Sequence, residues 1–102
     1  MIRLHYHVLR KSHEIGSITL SRGTRCCHVY STEGVEELLA WGEAHGMPAT
    51  WIHKAGMPHF DCWGSRLAHD CQAGLWQEVV GDRAYVADLR TWRSKRSVAL
   101  AV

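Results

Sequence analysis

"RCCHVYSTEGVEELLAWGEAHG", residues 25–46, changes its period part-way along, and that change decides the fold. "SITL" and "RCCHVY" read as short strands around "SRGTR", where Gly23 suits a turn. From Ser31 the pattern becomes helical. Ser31 or Thr32 can cap the helix, and Glu33, Glu36 and Glu37 fall in early turns where the dipole favours anions. Val35, Leu38, Leu39 and Gly42 follow i, i+3, i+4, i+7 spacing and predict one buried face. Gly46 ends the helix and Pro48 prevents it from resuming.

Upstream, Ile2, Leu4, Tyr6 and Val8 alternate with Arg3, His5 and His7, the period of a half-buried strand. "RKSHEIGS" follows as a polar connection. Downstream, "ATWIH" reads as a short strand leading into the loop "GMPHFDCWGSR", residues 56–66. A second helix is expected over 65–74, with Leu67 and Cys71 inward and Gly74 as terminator. "LWQEVV" is a last strand, and a third helix over 82–94 places Tyr85, Leu89 and Trp92 on one face. The tail "SVALAV" reads as an extra strand, an interface element or a frayed end. Strands interleaved with helices predict one small α/β domain, 1–102, with a three- or four-stranded, mainly parallel or mixed sheet. Ligands of such sheets bind at the carboxyl ends of the strands, where the loop from 54 to 63 would lie.

Composition narrows the function classes. At 46% apolar and 22% charged residues, 102 residues can bury a single core, which argues against disorder. The net charge of +2 announces no nucleic-acid or membrane partner through a whole-molecule field. The first ten residues are too short and polar for a secretory leader, and no apolar run approaches the ~20 residues of a membrane span. Four Cys without a C-x-x-C fit reduced thiols in a cytoplasmic protein, although an even count leaves disulfides open. Eight His make the charge sensitive to pH between about 5 and 8.

The loop concentrates the chemistry. In an extended segment His59 and Asp61 share a face while Phe60 anchors the opposite one. That pair can hold a metal, or the carboxylate can orient His59 as a general base. The plainer alternative is a helix cap from Asp61 and a local carbonyl bond from His59. His5 and His7 share a strand face, and with His28, His59 and Asp61 they could bind zinc or another divalent transition metal, Cys62 adding a soft donor. Arg66 offers a fork for a phosphate or carboxylate. Cys27 and His28, being adjacent on a strand, face opposite ways, so Cys27 reads as a buried structural thiol.

From Cys27 to about Glu78, the chain resembles the family of unknown function numbered 4031, small bacterial and phage proteins with no assigned activity. The resemblance rests on His28, Glu37, Leu38, Trp51, the triplet His59-Phe60-Asp61, Arg66 and Gly74. It implies an α/β fold and a ligand site near Trp51, Phe60, His28 and Arg66. Two positions depart from the family. Its first strand tends to carry acids where this chain has His5 and His7, and a His often follows "EEL" where this chain has Leu39. A metal ligand set at those positions would therefore differ here.

Two function classes emerge. One is a pocket that binds a nucleotide-like or other small anion through His, Asp and Arg. The other is a metal-assisted hydrolase of phosphoesters that uses His59 and Asp61. Arg83, Arg90, Arg93, Lys95 and Arg96, with Tyr85 and Trp92, form a basic helix able to meet nucleic acid. Trp92 is in register with core positions, so that partner is not favoured. An apolar tail and five Trp favour a homodimer.

Overall fold

The computed structural model describes residues 1–54, 56–64 and 77–101. The alternating first segment forms β1, Ile2–Val8, and "RCCHVYS" forms β4, Arg25–Ser31. Between them β2, His13–Ile15, and β3, Ile18–Leu20, make a separate two-stranded hairpin, so the polar connection holds a strand of its own. After helix α1, Val35–Ala44, come strands β5, Phe60–Trp63, and β6, Gln77–Val80, then helix α2, Asp82–Ala101.

The main sheet has four strands in the order β5-β4-β1-β6. It is mixed: β1 pairs antiparallel with β4 and parallel with β6, and β4 pairs antiparallel with β5. The domain is α/β as expected, with two α-helices rather than three among the described residues. The helix expected over 65–74, with Arg66, Cys71 and Gly74, lies outside those residues.

Period-2 alternation sorts the sheet into two unlike faces. Ile2, Leu4, Cys27, Val29, Phe60 and Cys62 form the apolar face and pack with Leu38, Trp41 and Met47. Trp41 is fully buried, whereas Val35 is exposed, so the inward stripe of α1 is Leu38, Trp41 and Gly42 rather than the face expected from Val35 onward. Gly42 lets the helix approach closely. A Cβ there would lie 2.8 Å from the Phe60 ring and 3.0 Å from the Met47 carbonyl.

The ends of α1 follow local chemistry. Ser31 Oγ accepts hydrogen bonds from the Glu33 and Gly34 amides and donates to Glu37, so it orders the entry turn without being the cap. At the other end Met47 N–H donates to Gly42 O at 2.7 Å and Gly46 N–H to Glu43 O at 3.3 Å. With Gly46 at φ +70°, this is the Schellman pattern that Gly46 predicts.

The opposite face carries Arg3, His5, His7, His28, Tyr30 and Asp61, and α2 lies against part of it. Arg3 Nη1 donates to both oxygens of Asp88, at 2.9 and 2.7 Å, and the Tyr30 hydroxyl donates to Asp88 as well. The Tyr85 ring stacks on His5 at 4.1 Å between centroids.

Three local expectations change. Residues 49–51, expected in a strand, form a 3₁₀ turn, because Pro48 at φ −61° leads directly into it. Residues 60–63, expected in a loop, pair with β4 as an edge strand. The tail continues α2 as helix through Ala101 instead of forming a strand or fraying. No helix among the described residues is long and apolar enough to cross a membrane.

Candidate metal centre on the polar face of the sheet

Register assembles the site. His5 lies opposite His28 across β1 and β4, and His28 lies opposite Asp61 across β4 and β5. Directly opposed residues of antiparallel strands share a face, so one row carries two imidazoles and a carboxylate. His7 stands two residues along β1 from His5, and its ring stacks on His28 at 4.0 Å. The neighbouring segment adds His53 and His59, which form an isolated antiparallel bridge with rings stacked at 5.3 Å. The site therefore lies across the middle of the sheet face, and not at the strand-end rim.

Hydrogen bonding fixes the direction of each ring. A carboxylate accepts only, so His5 Nε2 donates to Asp82 Oδ1 at 2.7 Å. With both rings neutral, His5 Nδ1 is then a lone pair, and His28 Nδ1 donates to it at 3.3 Å. His28 Nε2 is left as a lone pair, 3.5 Å from Asp61 Oδ1. His59 Nδ1 donates to the Met57 carbonyl at 2.8 Å, which leaves Nε2 facing Asp61 Oδ2 at 3.6 Å. His7 Nε2 is buried with no hydrogen-bond partner among the described residues. Ring nitrogens of His28 and His59 therefore converge on the two oxygens of Asp61.

One ring nitrogen each from His7 and His28 and one oxygen of Asp61 lie within 4.8 Å of one another. Each of the three is half-buried. Burial first, then the adjacent His7 ring, push His28 down to about 4, which keeps its imidazole neutral near pH 7. Burial likewise lowers His7. Burial alone would raise the Asp61 carboxyl, but the surrounding His59, His28 and His53 outweigh it and hold the group below its usual range. Burial lowers His59, yet Asp61 and the Met57 carbonyl reverse the balance and leave it raised. A cation among these atoms would satisfy all of them, and neutral imidazoles with a carboxylate suit zinc and its neighbours. Asp82 behind His5 and Met57 behind His59 orient rings in the manner of outer partners of metal-bound histidine.

The expected residues divide accordingly. His7, His28, His59 and Asp61 come together. His5 is beside them, but both its nitrogens are engaged by Asp82 and His28, so it supports rather than ligates. Phe60 is fully buried on the opposite face against Trp41 and cannot touch a ligand there. Cys62 points to the same core, its thiol 3.9 Å from Met47 Sδ, which removes it as a soft donor. Asp61 sits inside β5, opposite His28, and the helix it was expected to cap lies outside the described residues. Trp51, on the 3₁₀ turn, is half-exposed and is not among the residues that line the cavity over the cluster. Arg66 lies outside the described residues.

That cavity, about 560 Å³, is lined by His7, Arg10, His13, Cys26, His53 and Asp61 among others. A larger groove of about 730 Å³ borders α1, away from this chemistry, and is open and mostly apolar. Sequence reasoning passed over His53, Asp82 and Tyr85. His53 carried a usable signal, lying six residues before His59 with Gly56 and Pro58 between them.

No family model, curated protein or solved structure matches the chain.

Proposed function

We propose that this chain binds a divalent transition metal through His7, His28 and Asp61 and, through the ion, a small anionic ligand. One observation carries the reading. Ring nitrogens of His28 and His59 face the Asp61 carboxylate, and a buried nitrogen of His7 has no hydrogen-bond partner among the described residues. Such an arrangement is costly without a positive charge between the atoms. Three protein ligands leave a fourth tetrahedral position for water or an anion. The cavity is large enough for a nucleotide-sized molecule, and Arg10 adds a cation to its wall.

A second reading follows from the same open position. Water on the ion would be acidified toward about neutral pH and would attack a phosphoester, with the His59–Asp61 pair taking its proton. The leaving alkoxide would depart with a proton from solvent or His59.

Protein purified without a His tag and loaded with zinc or cobalt tests the first reading. The expected result is bound metal after gel filtration, reduced in His7→Ala and His28→Ala and lost in Asp61→Ala. Metal-dependent melting shifts with phosphate or nucleotides then report the ligand. Turnover of a model phosphodiester, abolished by Asp61→Asn, would favour the hydrolase. Metal-free protein after loading overturns both readings.

A further inference from the structure

Asp61 presents its two oxygens to different histidines. Oδ1 faces His28 Nε2 at 3.5 Å, on the side of the His7 ring. Oδ2 faces His53 Nε2 at 3.2 Å and His59 Nε2 at 3.6 Å. The second pair is rigidly placed. His53 N–H donates to His59 O at 2.8 Å and His59 N–H to His53 O at 3.1 Å, so the two rings emerge side by side from one backbone bridge. His59 Nδ1 is committed to Met57 O, so Nε2 is the nitrogen that this ring presents to Asp61. Only the His53 side chain is largely open to solvent, at 53%. An ion held there could complete its shell with water.

We infer that Asp61 bridges two divalent ions, one shared with His7 and His28 and the other with His53 and His59. This rests on the metal reading of the site given above and extends it to a second ion. Paired centres of this kind place their ions roughly 3.5–4 Å apart. A bridging carboxylate with one oxygen on each ion spans that separation. Two adjacent cations take an oxyanion that can bind both, so the ligand class narrows to phosphate or phosphoester. Arg10, on the cavity wall, adds a donor fork for the same group.

A competing account needs no second ion: a protonated His59 pairs with Asp61 and His53 merely stacks on it. Metal counting separates the two. The tag-free full chain is loaded with cobalt or manganese, desalted and analysed for metal per chain, with circular dichroism on the same samples. The expected count is close to two, falling to one in His53→Gln and in His53→Ala/His59→Ala, and manganese spectra show an exchange-coupled pair. His53 is exposed, so the single variant keeps the fold if the double variant does not. A count of one in the parent chain, unchanged by His53→Gln, overturns the second ion and leaves the first. A count of two that His53→Gln does not change, or that shows no coupling, also overturns the bridge. A count of zero overturns the metal reading itself.

Discussion

Asp82 accepts a 2.7 Å hydrogen bond from His5 Nε2, although its own side chain is 91% exposed and the two residues are 77 positions apart. The contact adds little to stability, because the carboxylate that accepts it lies in solvent. Its consequence is orientation. By fixing the His5 proton on Nε2, Asp82 fixes the His28 proton on Nδ1 and turns His28 Nε2 toward Asp61.

Asp82→Ala should therefore weaken metal binding by roughly 10–100-fold, the usual effect of removing an outer partner of a ligating histidine. The urea midpoint should barely move, because the carboxylate lies in solvent. Competition with a chromogenic chelator measures the first and urea denaturation the second. Equal affinities for variant and parent would show that the His5–His28 chain does not orient the site.

Gly42→Ala sets two effects against each other. Alanine gains about 1 kcal/mol of helix propensity over glycine. Its Cβ, however, would stand 2.8 and 2.9 Å from Phe60 ring atoms and 3.0 Å from a backbone carbonyl at Met47. The ring is fully buried and the carbonyl belongs to the chain leaving α1, so neither yields easily. Overpacking typically costs about 1–3 kcal/mol, and it should win here. Equilibrium denaturation of Gly42→Ala is expected to show net destabilisation; an unchanged or raised midpoint would mean that α1 shifts freely on the sheet.

How much of this was readable beforehand depends on the range of the interaction. Alternation in Ile2–Val8 and the switch of period after Ser31 are local, and both elements follow from them. The same alternation put His5, His7 and His28 on faces that register could align. Residues 60–63 were harder, since four residues after Pro58 carry too short a pattern to separate an edge strand from a loop. Trp41 was hidden because Leu39 and Val35 fit helical spacing equally well. The contact of Asp82 with His5, and the pairing of His53 with His59 around a turn, belong to tertiary geometry and leave no periodic trace.

Asp88 joins α2 to the sheet by accepting from Arg3 and Tyr30, with side chains only 26% and 20% exposed for the Arg3–Asp88 pair. Asp88→Ala leaves the Tyr30 hydroxyl without this acceptor and the Arg3 guanidinium with Glu78 at 3.4 Å, and should cost about 1–3 kcal/mol. Tyr30 carries a pH signature. Burial first, then the Asp88 hydrogen bond, raise its phenol above the ordinary tyrosine value. Above about pH 10 the unfolded chain releases that proton while the folded chain keeps it, so stability must fall as pH rises further. In Tyr30→Phe this contribution disappears, leaving a lower but flatter alkaline profile. Denaturation midpoints between pH 8 and 11 check it, and an identical slope in the variant would refute the assignment.

Removing metal gives the broadest test. Folded protein alone brings His7, His28 and Asp61 within 4.8 Å, so an ion that needs all three binds the folded state in preference to the unfolded chain. Free metal at 100 times its Kd would then stabilise the fold by about 2.7 kcal/mol. For a domain of this length each 1 kcal/mol moves Tm by roughly 4–8 °C, so saturation should raise Tm by about 10–20 °C. A chelator should reverse the shift, and lowering the pH should weaken it as protons compete for the ring nitrogens. His28→Ala/Asp61→Ala lacks two of the three ligands of the first ion and the carboxylate shared with the second, and should melt at the same temperature with or without metal. Should the double variant respond like the parent, the stabilising ion sits elsewhere and the row from His28 to Asp61 is not its binding site.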